Sequence, residues 1–106
     1  MNWQPGRQNA KYEKLVLCKL SFFDINLIKI PTGTRIPWHV DIIPKKKHYR
    51  LNIELVKPKV GGKFMGKTIF QIPRITLIRP DRDMHAVTEI FEGHALILSI
   101  GFAIAK

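Results

Sequence analysis

Cysteine is almost missing from this chain. Cys18 is the only one, which rules out a disulfide within the chain and any metal site built on paired thiolates. Long apolar runs are missing too. The longest are cut by Lys, Asp or Asn well short of the roughly 20 residues a membrane-crossing helix needs. Met1–Lys14 lacks the basic start, apolar middle and small-residue cleavage site of a secretory signal, so a reducing, cytoplasmic setting is expected. Acidic residues are scarce: 8 Asp and Glu stand against 18 Lys and Arg, giving a formal net charge of +10 and a pI near 10.1. Helical periodicity, internal repeats and low-complexity linkers are absent, which sets aside a helical bundle, a solenoid and a multidomain chain.

What remains is a chain of 106 residues with 45% hydrophobic and 25% charged residues, the balance of one small globular domain spanning residues 1–106. The polar start, Met1–Ala10, is predicted to be loosely held. A domain this small buries only about 60 to 65% of its unfolded surface, so a bound metal would add appreciably to its stability. Segments rich in β-branched and aromatic residues recur at strand length, and they predict strands at Tyr12–Leu20, Phe23–Ile30, Thr34–Trp38, Tyr49–Val56, Gly62–Phe70, Arg74–Arg79, Ala86–Phe91 and Ala95–Ala103. Between them lie turn-forming clusters: Pro31–Gly33, Pro44–His48, Lys57–Gly61, Gln71–Pro73, Pro80-Asp81 and Glu92-Gly93. Gly61-Gly62 and Gly93 suit positions of positive φ. Cys18 reads as an ordinary strand residue and Lys45–Lys47 as a solvated turn.

The chemistry concentrates at Trp38-His39-Val40-Asp41. In a strand, residues two apart share a face, so His39 and Asp41 can grip one metal ion. A third ligand must come from another strand, and His85 stands at the head of a strand-like run 44 positions after Asp41. Two imidazoles and one carboxylate on one face of an octahedron form the facial triad of non-haem Fe(II) oxygenases. The pattern continues in order: His39-Val40-Asp41, Arg50-Leu51-Asn52-Ile53, Gly61-Gly62-Lys63-Phe64, Arg79-Pro80-Asp81, His85-Ala86-Val87 and Leu98-Ser99-Ile100-Gly101-Phe102.

In this ordered set, from about Asp24 to Phe102, the chain resembles the small Fe(II)/2-oxoglutarate oxygenases of the aspartyl/asparaginyl β-hydroxylase and prolyl-hydroxylase kind, especially the short bacteriophage versions. The resemblance implies an all-β double-stranded β-helix, a cupin-like jelly roll. It also implies Fe(II) held by His39, Asp41 and His85, with 2-oxoglutarate as co-substrate. Most relatives place the Arg that pairs the far carboxylate of 2-oxoglutarate two residues after the glycine matching Gly93; here that position is Ala95. Arg50 and Asn52 reproduce the alternative Arg anchor of the aspartyl β-hydroxylase type, and Ser99 would add a hydroxyl. Arg50 can equally be read as a surface strand residue. Trp38 is expected in the core or as a pocket wall, and His48 and His94 are expected exposed. The basic field suits an anionic substrate: a peptide, a protein or nucleic acid. The rival reading is a basic, non-catalytic β-barrel that binds nucleic acid or a partner protein. The same ligand set also accepts Mn, Co, Ni or Zn.

Overall fold

The computed structural model describes residues 3–5, 12–40 and 46–105, and every regular element among them is a strand. In chain order these are β1 Gln4–Pro5, β2 Glu13–Lys19, β3 Phe23–Ile30, β4 Ile36–His39, β5 Lys46–Val56, β6 Val60–Gly61, β7 Phe64–Gly66, β8 Phe70–Ile72, β9 Ile75–Ile78, β10 His85–Val87, β11 Ile90–Glu92 and β12 Ala95–Ala105. A seven-stranded sheet runs β1-β2-β3-β12-β5-β9-β8, a three-stranded sheet β4-β10-β7, and a pair β11-β6 closes one end. All pairings are antiparallel. Strands of the first half pair with strands of the second: β3 with β12, β4 with β10 and β6 with β11. This is the rolled-up pattern of the expected double-stranded β-helix.

Alternation along the central strands decides which way each side chain faces. On β12 the inward positions are Ala95, Ile97, Ser99 and Gly101, and three of these four are buried. On β3 the inward positions are Asp24, Asn26, Ile28 and Ile30. Ile30, Ile36, Ile90, Ala95 and Tyr12 form the apolar core, with Ile28, Val87 and Ile97 packed against it. The interior is therefore apolar at one end and polar at the other. The outward face carries two unbroken cross-strand rows. One is Leu15–Leu27–Leu98–Ile53–Ile75–Ile72, and the other is Cys18–Ile25–Ile100–Leu51–Leu77–Phe70.

Several boundaries differ from expectation. Gly62–Phe70 is not one strand. Gly61 (φ 84°) and Gly62 (φ 68°) turn the chain between β6 and β7, and β8 starts only at Phe70. Ala86–Phe91 divides into β10 and β11, and β5 begins at Lys46, so Lys46 and Lys47 belong to a strand rather than a turn. The expected turn at Gln71–Pro73 falls at Pro73-Arg74, where Arg74 takes φ 71°. Pro followed by a residue of positive φ is the signature of a type II turn, with Arg in the place that favours Gly. Most of Met1–Ala10 lies outside the described residues, although Gln4 and Pro5 pair with Lys14 and Glu13.

Candidate metal centre

His85 lies directly opposite His39 in the β10–β4 ladder. Two residues further along β10, Val87 pairs with Ile36, so β4 spends three positions where β10 spends two. That bulge re-aims β4, putting Ile36 and His39 on one face with Val87 and His85. Since Ile36 and Val87 belong to the core, the two histidines also face inward. Their rings lie 4.1 Å apart between centroids, tilted by 58°. Phe64, on the other side of β10, stacks on His85 at 6.2 Å and 20°. Gly66, opposite His85, leaves no room for a side chain: a Cβ there would lie 2.7 Å from the Met84 carbonyl oxygen.

The two imidazoles are held alike. Nδ1 of His39 lies 2.7 Å from the carbonyl oxygen of Pro37, and Nδ1 of His85 lies 3.2 Å from that of Asp83. A carbonyl only accepts, so each Nδ1 donates, the arrangement in which Nε2 would be the nitrogen that ligates a metal. Backbone carbonyls that fix the tautomer in this way are a usual second layer around histidine metal ligands. Two imidazoles in cross-strand contact, each oriented by its Nδ1 bond, therefore fit a divalent metal. Asp41, the expected third ligand, lies outside the described residues, and among those described no third His, Cys, Asp or Glu completes a set of three.

On the large sheet a second group faces inward. Asn26, Ser99, Asn52 and Thr76 form one row across four strands, and Asp24, Gly101, Arg50 and Ile78 form the next. Arg50 Nη2 donates to both Asp24 carboxylate oxygens at 2.9 and 3.0 Å, and its Nη1 donates to Ser99 Oγ at 2.8 Å. Ser99 Oγ donates onward to Asn52 Oδ1 at 2.6 Å, and Asn26 donates to Asp24 at 2.9 Å. Gly101 makes this possible: a Cβ there would lie 2.2 Å from Arg50 Nη2. Arg50, Asn52 and Ser99, the residues expected around 2-oxoglutarate, thus meet in one network. Arg50 is not a surface residue, its side chain being only 16% exposed, and its guanidinium already holds a carboxylate from its own chain. Ala95 lies in the apolar core at 2% exposure, far from any role as an anchor.

Two expectations are corrected here. His48 is not exposed: it sits on β5, buried at 5%, with Nε2 3.3 Å from Arg50 Nη2. Alternation on β5 turns His48, Arg50 and Asn52 to the same inward side. Trp38 is not a core residue but 48% exposed, because the bulge gives the inward positions to Ile36 and His39. His94 is exposed, as expected, and Cys18 is an ordinary half-buried residue of β2.

The expected corner at Arg79-Pro80-Asp81 is present. Arg79 pairs with Asp81 at 2.8 Å and lies 5.3 Å above the Tyr49 ring, while the Arg79 carbonyl accepts from the N–H groups of Arg82 and Asp83. Burial pushes the Asp81 carboxyl up, but the Arg79 hydrogen bond, the backbone N–H of His48 and the Arg79 charge outweigh it, and the group ends below the usual carboxylate range. The Asp81 hydrogen bond is also the main cause holding Arg79 above its usual value. This corner braces the approach to His85.

A cleft of about 650 Å³ opens beside the centre. Lys57, Lys59, Lys63 and Arg74 line its mouth with Glu54 as the one acid, while Phe64 and Thr76 connect it to the histidine pair and to the polar rows.

Neither a protein-family model nor a curated protein matches the sequence. Solved structures do match in shape. KdgF from Halomonas sp. superposes with a TM-score of 0.61 at 11% identity, over 96% of this chain and 86% of that one. The cupin domain of Cnp3 from Schizosaccharomyces pombe gives 0.60 at 12%, over 98% and 69%. An RmlC-like cupin from Desulfovibrio desulfuricans gives 0.60 at 17%, over 86% and 81%. The fold is that of the cupins. At these identities the cupin likeness concerns the fold alone, and the chemistry must be argued from this chain's own residues.

Proposed function

We propose that this chain is a metal-dependent enzyme of cupin fold, with His39, Asp41 and His85 as ligands, acting as an Fe(II)/2-oxoglutarate oxygenase on an anionic substrate. The observation that carries the proposal is the register-paired histidines, 4.1 Å apart, each with Nδ1 tied to a backbone carbonyl. His39 and His85 would bind the metal through Nε2, and Asp41 would supply the carboxylate. Fe(II), when bound, supplies the activation of dioxygen. Phe64 shields one side of His85 from water, and the basic cleft draws in an anion.

Arg50, with Ser99 and Asn52 beside it, is the one inward guanidinium among the described residues of the polar rows. For 2-oxoglutarate to bind there, its far carboxylate must share Arg50 with Asp24 or displace it. That pairing favours a second reading, a metal-dependent cupin that uses no 2-oxoglutarate.

Anaerobic titration separates the readings. The metal-free protein is titrated with Fe(II), then with 2-oxoglutarate, on wild type and on His85→Ala, following heat of binding and the visible charge-transfer band. A band that needs both additions and vanishes in the variant supports the oxygenase. Metal binding without a band supports the second reading. No metal binding would overturn both and leave the basic binding module as the better account.

A further inference from the structure

The cleft beside the histidine pair carries more positive charge than its surroundings neutralise. Lys59 is paired by Glu92 at 3.9 Å, but among the described residues no carboxylate pairs Lys57, Lys63 or Arg74. Against these three cations the lining holds one acid, Glu54, which leaves a surplus of two charges. A phosphate monoester carries about −1.5 to −2 at neutral pH, up to twice the charge of a single carboxylate. Neutral hydrogen-bonding groups stand among the cations. The polar row Asn26, Ser99, Asn52 and Thr76 runs on to Gln71 of β8, and Thr76 and Gln71 both line the cleft. Thr76 is buried at 9%, yet its hydroxyl makes no hydrogen bond among the described residues. Buried hydroxyls ordinarily have a partner, and a ligand in the cleft would supply one. Arg74 is the third sign. Pro73 and Arg74 form the loop between Ile72 and Ile75, and Arg74 sits at φ 71° in the place that favours Gly. Strained residues of this kind cluster at ligand clamps, and the guanidinium fork matches phosphate oxygens.

We propose that the cleft binds the phosphoryl group of a small phosphate ester, with Arg74, Lys57 and Lys63 pairing its oxygens and Thr76 donating a hydrogen bond. This deepens the reading above and rests on it for the ester's fate, since there the cleft admits the anionic substrate. Size selects a small molecule over a polymer: about 650 Å³ falls within the roughly 300 to 1,000 Å³ of small-molecule sites. Single-stranded nucleic acid needs instead a charged groove that follows its backbone, with aromatic side chains on which its bases stack. Among the described lining residues Phe64 is the one aromatic, and it already stacks on His85. Pro58, Ile72 and Pro73 offer the rest of the ester an apolar wall.

Calorimetric titration of the full chain, freed of metal over a chelating resin and held at about 0.15 M salt to screen distant charges, tests this. The probes are phenyl phosphate, benzoate and a thymidylate oligomer. Phenyl phosphate should bind at least about tenfold tighter than benzoate, which has the same body and one charge. Arg74→Gly should weaken phenyl phosphate about tenfold while folding at least as well as wild type, because glycine relieves the strained backbone. Thr76→Val should weaken it several-fold. Lys19→Gln removes a charge from β2, on the far side of the large sheet, and should change binding less than about twofold. Benzoate binding as tightly as phenyl phosphate overturns the inference, as does no binding of either. Equal losses in Arg74→Gly and Lys19→Gln overturn it too, leaving only a diffuse field, and an oligomer that binds where phenyl phosphate does not would make nucleic acid the occupant. Because no metal is present, these failures are distinct from a failure of the Fe(II) titration.

Discussion

Gly101→Ala is the sharpest probe of the polar interior. An added Cβ would lie 2.2 Å from Arg50 Nη2, 2.7 Å from Cζ and 3.1 Å from an Asp24 oxygen. Ordinary contact needs about 3.4 Å or more, so the guanidinium must retreat by roughly 1 Å. β12 cannot yield instead, because β3 and β5 hold it on both sides. Nη2 makes both Asp24 contacts, and the retreat stretches them out of hydrogen-bonding range. The two side chains are 16% and 28% exposed, so solvent replaces the lost contacts only in part. Breaking a partly buried charged hydrogen bond costs about 1.5 to 3 kcal/mol and overpacking a further 1 kcal/mol or so, about 3 kcal/mol together. For a domain of this size that corresponds to a fall in Tm of roughly 15 °C, readable by calorimetry. In an Arg50→Met background the clash is gone, and the same glycine change should cost less than about 1 kcal/mol. Equal penalties in the two backgrounds, or a Tm within about 2 °C of wild type, would refute the reasoning.

Four further outcomes follow from the same geometry. His39→Ala and His85→Ala should each abolish the rise in Tm that Fe(II) or Co(II) gives the wild type, a rise that grows by about 1.4 kcal/mol for each tenfold excess of metal over Kd. Asp24→Asn should tighten 2-oxoglutarate binding several-fold by releasing Arg50, and calorimetric titration showing weaker or unchanged binding would remove Arg50 as the anchor. Asp81 has its carboxyl lowered in the folded state, so its contribution is present above the ordinary carboxylate value of about pH 4 and disappears as pH falls through the lowered one. Asp81→Asn should accordingly destabilise the chain to urea at pH 7, and the difference from wild type should shrink as pH falls below about 4. Arg74→Gly relieves a left-handed backbone and should stabilise by about 1 kcal/mol while weakening anion binding in the cleft, since Arg74 is one of its four cations.

The fold was legible because strand length, turn residues and the missing helical period all pointed the same way; Phe23–Ile30 was read to the residue. Short strands were lost where punctuation is brief: nothing in Val60–Phe70 but two glycines separates β6 from β7. That His39 and His85 would meet was legible, but not their register. It depends on a bulge that gives Ile36 and His39 one face, and strict alternation cannot show that. Asp24 as the partner of Arg50 was not legible. Phe23–Ile30 is apolar at most outward positions and polar at only half of the inward ones, so period two does not say which face is inside.

That ambiguity on β3 has a physical source. A cupin sheet that kept its outward face wet and its interior dry would declare its inside by simple alternation. Here the inward face at the Asp24 end holds an ion pair, two amides, a hydroxyl and a histidine, none of which favours burial unless hydrogen-bonded. Replacing such a network by packed aliphatic residues is often neutral or stabilising. Its presence in a domain that also holds a pre-oriented histidine pair is therefore better explained by a ligand to be recognised than by stability. The apolar surface that a dry interior would have concealed is displaced to the outer face, in the rows centred on Leu98 and Ile100. A chain that devotes part of its interior to a polar site has less core with which to stabilise itself, so ligand or metal binding there should add appreciably to its stability.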